Sequence, residues 1–210
     1  MTGLGLGLGA VDHRRAERLR VTEAELAIKR RLEADEEELL VTRSNLAVCL
    51  FELERDEESL QMRREILADS LRLNGPDDED AILDAEKLVE SLIEANLFKE
   101  AMSLLRDTIP TARRVLGEEN DLTLCLRSHY ACAISYDTNS SRAHVHEAVA
   151  ILKDVLQTSR RVFGNQHPIV EEFLRDLENT RMRLADDESR EALGAAPAPT
   201  RRRRHRRRPK

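Results

Sequence analysis

Chemistry needs particular side chains at particular spacings, and the six histidines and three cysteines are the first place to look for it. His144 and His146 stand two apart, which puts them on opposite sides of a helix or in a loop. His129 and His167 have no partner at ligand spacing, whereas a metal needs converging ligands. No metal site is expected, and the histidines read as structural or solvent-facing. Cys125 and Cys132 lie seven apart and so share a helical face, as small core or groove residues. With Cys49 they make an odd number, and none forms a C-x-x-C. That excludes a simple disulfide framework and fits a reducing, intracellular setting. Gly5-x-Gly7 has the spacing of part of a dinucleotide loop, but no strand precedes it. No nucleophile, base and orienting residue occur in a recognisable context. The chain reads as a non-enzyme with no cofactor.

The other concentrated chemistry is charge. Arg201, Arg202, Arg203, Arg204, Arg206, Arg207, Arg208 and Lys210 place eight bases and no acid in the last ten residues. Removing these eight from the 34 basic residues leaves 26 against 40 acids, so positions 1–200 carry −14 and the whole chain −6. The tail follows a Pro/Ala segment. It is too polar and self-repelling to bury an apolar core, so residues 188–210 are expected to be disordered. An import signal recognised by a receptor, a contact with nucleic acid or an anionic membrane, and a solvated end are the competing readings. No aromatics interleave the arginines, which weakens base stacking. A fourth reading has the basic tail folding back over the acidic body.

The intervening elements must be helices. Leu, Ala, Glu and Arg are abundant, aromatics make up 3%, and there is no Trp. Straight-chain residues lose little rotamer freedom in a helix, whereas strands favour the aromatic and β-branched residues scarce here. No stretch approaches the ~18 apolar residues that span a bilayer. The opening Gly/Leu alternation over 1–11 lacks a basic leader and is expected to be a floppy arm.

A repeat organises these helices. Arg72-Leu-Asn-Gly75, Arg114-Val-Leu-Gly117 and Arg161-Val-Phe-Gly164 are similar phrases spaced 42 and 47 residues apart. Five extra residues around Asp137-Thr-Asn-Ser-Ser explain the longer spacing, and their turn-forming composition places them in a loop. Each unit reads as two helices. Leu46, Leu50 and Leu53 share one face of the first, and Leu60, Ile66, Leu67 and Leu71 mark the second. Gly75 then falls where a helix end needs φ > 0. Units are expected at about 36–75, 78–117 and 121–164, inside a helical domain over 12–187. A half-unit helix at roughly 12–32 precedes them, its closing position at Glu33, and a capping helix at 167–185 follows. Pro110 falls inside a second helix and predicts a kink or break there.

Paired helices with small residues at fixed positions, Asn45-Leu46-Ala47, Tyr130-Ala131, Arg114-Val-Leu-Gly117 and Arg161-Val-Phe-Gly-Asn-Gln-His-Pro168 resemble tetratricopeptide repeats. The 42-residue period is similar to the kinesin-light-chain-type subclass. Glu54 and Asn96 stand where that pattern has a helix-joining Gly, and Lys87 and Val89 also depart from it. The resemblance implies an all-α solenoid of antiparallel helix pairs that acts as a scaffold or adaptor. A partner peptide would lie in a concave groove lined by first helices. Carried over by position, the groove would comprise Val41, Ser44, Val48 and Phe51; Leu83, Glu86, Glu90 and Ile93; and Cys125, Ser128, Cys132 and Ser135. Two carboxylates in the middle suit a protein or peptide partner with basic and apolar residues, although Glu86 and Glu90 equally suit a solvated helix face. The alternative function is a nucleic-acid-associated or nuclear regulator working through its arginine tail. The expected location is cytoplasmic, with nuclear entry open through that tail.

Overall fold

The computed structural model describes the backbone of residues 5–192 and the side chains of 11–186 and 189. Among these residues the protein is all-α: eight helices and no strand. Two compact units divide the chain, Met1–Ser91 and Leu92–Lys210, with the division near the end of the fourth helix.

The first unit holds α1 (Gly5–Arg31), α2 (Glu36–Glu52), α3 (Asp56–Leu73) and most of α4 (Glu79–Glu94). Asp35 starts α2: its carboxylate accepts from the Glu38 N–H at 2.7 Å, and Glu36, Glu37 and Glu38 complement the positive end of the helix. Leu19 and Leu26 of α1 meet Leu46, Cys49 and Leu50 of α2, so the half-unit helix covers one side of the next pair. The Arg18 Nε donates to the Cys49 Sγ at 3.3 Å, while another of its nitrogens pairs with Glu52 at 2.6 Å. Between α2 and α3, Leu40 and Ala47 pack on Ile66, and the Ser59 hydroxyl donates to the Ala47 carbonyl at 2.8 Å. That bond satisfies a buried hydroxyl where two helices come close.

The opposite face of α1 carries Val21 and Ile28, 62% and 56% exposed, and Leu32, 75% exposed, follows in the turn at its end, its N–H still donating to the Ile28 carbonyl at 3.0 Å. Their i, i+7, i+11 spacing aligns them in one stripe.

The second unit holds α5 (Phe98–Val115), α6 (Asp121–Tyr136), α7 (Arg142–Phe163) and α8 (Pro168–Ala192). Leu124, Ala131 and Ile134 of α6 interlock with Ala148, Leu152, Val155 and Leu156 of α7 and with Val170, Phe173 and Leu177 of α8. The Asn120 and Ser141 side chains cap α6 and α7. The inserted segment 137–141 joins them. Asp137 Oδ1 accepts from both the N–H and the side-chain amide of Asn139 at 2.9 Å, and Arg183 of α8 donates to the Asp137 carbonyl at 3.0 Å. Away from the core, α8 exposes Glu171, Arg175, Glu178 and Arg181, a charged row beside Met182.

Three expectations are corrected. Helix α1 begins at Gly5, inside the segment expected to be floppy. Extending an existing helix costs far less than nucleating one, so propagation backward from Val11 outweighs the glycine penalty. Pro110 does not break its helix, because α5 runs through it from Phe98 to Val115. Pro110 and Arg106 are both exposed, so the carbonyl deprived of its donor can turn to water. Helix α8 also continues past 188 to Ala192. The arginine tail lies outside the described residues.

Candidate peptide-binding surface

In the first unit, the first helix of the pair presents Val41, Asn45 and Val48 to solvent, with Ser44 and Phe51 partly covered beside them. Spacings of four and three put the exposed three on one face. Val41 is 62% exposed, while Thr42, Leu46 and Leu50, on the side facing α1 and α3, are buried. Asn45 was read in the sequence only as a mark of repeat register. Its position four after Val41 was the available signal that it shares the open row.

The corresponding row on α4 begins at Leu83, which is 41% exposed. Lys87 and Glu90 follow at the same spacing, both partly covered. Lys87 Nζ lies 2.9 Å from the Glu86 carboxylate and 3.4 Å from that of Glu90. Burial works to lower the Lys87 pKa, but Glu90 and Glu86 outweigh it and hold the ammonium above its ordinary value. The Glu86 side chain is buried, leaving Glu90 as the more accessible carboxylate. A surface of this kind offers apolar contact with a negative group at its edge.

Asp84, on the same helix, is pushed upward chiefly by burial. The Ser70 hydroxyl opposes the shift, Asp80 and Asp78 reinforce it, and Arg63 weakens it. A raised carboxyl pKa means a stabilising term complete below the unfolded value and lost as pH rises through the folded one. Ionised Asp84 is therefore unfavourable at neutral pH. Asp84→Asn should raise the urea midpoint there and flatten the gain otherwise seen on mild acidification. A lower neutral midpoint in the variant would contradict this account of the site.

The α6 positions expected to line the groove behave differently. Cys125 is partly exposed, but Ser128, Cys132 and Ser135 are buried, as is Ile93 at the end of α4. Ser128 donates to Asp176 of α8 at 3.1 Å, so its hydroxyl serves the packing of α6 on α8. Small residues let another helix approach closely, and α6 is enclosed by α5, α7 and α8. A ligand in this arrangement would not touch these buried side chains, nor that of Glu86. None of the three cysteines forms a disulfide among the described residues. No helix of the described residues is long and apolar enough to cross a membrane.

A family model described as tetratricopeptide repeat matches residues 39–80, 86–121 and 138–169. Among solved structures, similarity extends to the nearly identical TPR-like repeats of a Podosopora anserina protein named for kinesin light chain. A point variant of it superposes with a TM-score of 0.68 at 16% identity, covering 86% of this chain and 84% of that one. Its parent gives 0.65 at 16% identity with the same coverage. BtubC (BKLC) of P. vanneervenii gives 0.54 at 17% identity, covering 90% of this chain and 78% of that one. No curated protein matches the chain. At these identities the likeness to the structures is one of fold.

Proposed function

Because the chain belongs to the tetratricopeptide repeat family, we propose that it is a non-catalytic interaction scaffold that holds an extended segment of another protein. The observation that carries this reading is the solvent-facing apolar row of Val41 and Val48, with Leu83 exposed on the next first helix of the same unit. Folding leaves these side chains on the helix surface, where a partner's apolar groups can bury them at roughly 25 cal/mol per Å² of apolar area removed from water. Ser44, Asn45 and Phe51 flank the row on α2. Glu90 adds a negative edge, so a partner segment combining aliphatic with Arg or Lys residues complements it best. The contacting set is therefore narrower than the twelve positions expected from the sequence: Val41, Ser44, Val48, Phe51, Leu83 and Glu90.

The test uses the full chain and a fluorescent peptide alternating Leu with Arg, beside its Glu-for-Arg counterpart. Binding of the basic peptide should persist at high salt and fall about tenfold in a Val41→Glu, Val48→Glu variant, equivalent to roughly 1.4 kcal/mol. Exposed positions tolerate this change, and unchanged circular dichroism would verify the fold. Equal binding of both peptides by the variant and the parent would remove the row from the binding surface. If basic-peptide binding were absent, while nucleic acid bound only when 193–210 were present and was lost at high salt, the tail reading would replace this one.

A further inference from the structure

A second feature of the first unit lies apart from the α2/α4 row. The C-terminal end of α1, the N-terminal half of α2 and the C-terminal end of α3 enclose an open cavity of about 180 Å³. Its apolar lining comes from Leu39, Leu40 and Leu73, and its polar lining from three arginines and two acids.

The ion pairs there leave one lining guanidinium out. Arg43 Nη1 lies 2.5 Å from Asp69, and its Nη2 lies 3.2 Å from Glu65 outside the lining. Arg72 reaches Glu36 at 2.7 Å and the other oxygen of Asp69 at 3.6 Å. Arg43 holds the Asp69 carboxyl below its ordinary range, so Asp69 stays ionised through the neutral region. Arg43 and Arg72 are thus taken up by Asp69, Glu65 and Glu36. The third, Arg30, is exposed, and its guanidinium has no acceptor among the described residues. One guanidinium fork is left open at the mouth of a leucine-lined cavity. A planar fork of donors is suited to one carboxylate, which it can grip through two parallel bonds.

We propose that this cavity binds a monocarboxylate carried on a short aliphatic body. The carboxylate pairs with Arg30, and the hydrocarbon rests on Leu39, Leu40 and Leu73. One carboxylate fills the open fork of Arg30, whereas a dianion would add to the repulsion from Glu36 and Asp69. A free small acid and the aliphatic last residue of a peptide share this chemistry. The site does not depend on the peptide row, because it uses none of the same side chains.

The probes are isocaproate and its neutral amide, added to the full chain while the leucine methyl resonances are followed by NMR. Isocaproate should shift the methyls of Leu39, Leu40 and Leu73 with an affinity on the order of millimolar, and the amide should bind about tenfold more weakly. Arg30→Gln, an exposed change that leaves the core intact, should abolish the preference for the acid. Arg30→Lys should restore part of it as a point charge without the fork. A Leu-ended peptide that binds more tightly with its terminus free than amidated would identify a chain end as the source. Equal binding of its two forms, beside tight isocaproate binding, would identify the free acid. The proposal fails if acid and amide shift the methyls equally, if Arg30→Gln retains the preference, or if neither ligand moves these methyls.

Discussion

Replacing Phe173 with alanine is expected to destabilise the second unit by about 3–5 kcal/mol, the range for emptying a buried aromatic site. Phe173 is among the largest fully buried side chains and belongs to the cluster that joins α8 to α6 and α7. Little of the lost volume can be refilled, because Leu124, Leu152 and Val155 around it are also enclosed and hold their own contacts. A loss of this size is comparable with the whole stability of many small domains. In a repeat protein it should fall first on the terminal helix, since each helix is held chiefly by its neighbours. Urea unfolding followed by circular dichroism should show the midpoint drop, with hydrogen exchange along 170–180 rising before the rest. Phe173→Leu keeps most of the volume and should cost less than about 1.5 kcal/mol. Equal midpoints for parent and Phe173→Ala would mean that α8 does not depend on this packing.

The second large effect concerns backbone conformation and runs in opposite directions at two sites. Gly164 ends α7 with φ 82° and ψ 161°, a region open almost solely to glycine. A methyl group there would meet no atom within 4 Å, so the cost of Gly164→Ala is purely conformational. It should amount to about 1–3 kcal/mol. Glu54 has φ 61° at the turn between α2 and α3, where a side chain strains the backbone. Glu54→Gly relieves that strain but adds freedom to the unfolded chain, so the net gain should be smaller, about 0.5 kcal/mol. Thermal melts of the two variants should therefore move to opposite sides of the parent. Melts moving in the same direction would show that contacts at these turns outweigh the dihedral term.

These turns also show how much was legible beforehand. Glu33, Glu54 and Asn96 are the three non-glycine residues with positive φ among the described residues, with values of 54°, 61° and 60°. All three were identified as places where a glycine would be at home: Glu54 and Asn96 through the resemblance to tetratricopeptide repeats, and Glu33 because a recurring phrase fixes where a helix must end even when the residue is wrong for it. The inserted loop at 137–141 was legible for the same reason. The face of α6 was not. Ser128 and Cys132 carry no letter that distinguishes an open row from one covered by another helix, and periodicity is identical in both cases. The fate of Pro110 depended on whether the Arg106 carbonyl met solvent, which spacing does not encode. Arg30, Arg43 and Arg72 converge from three helices, so no short motif announces the cavity they line.

The unequal ends have a consequence for engineering by concatenation. A helix grafted upstream of α1 would find Val21, Ile28 and Leu32 already apolar and aligned, so the join calls for matching shapes. One grafted downstream against the outer side of α8 would have to strip water from Glu171, Arg175, Glu178 and Arg181 before making contact, an unfavourable exchange unless each charge finds a partner. Lengthening this array is therefore a small edit in one direction and a redesign in the other.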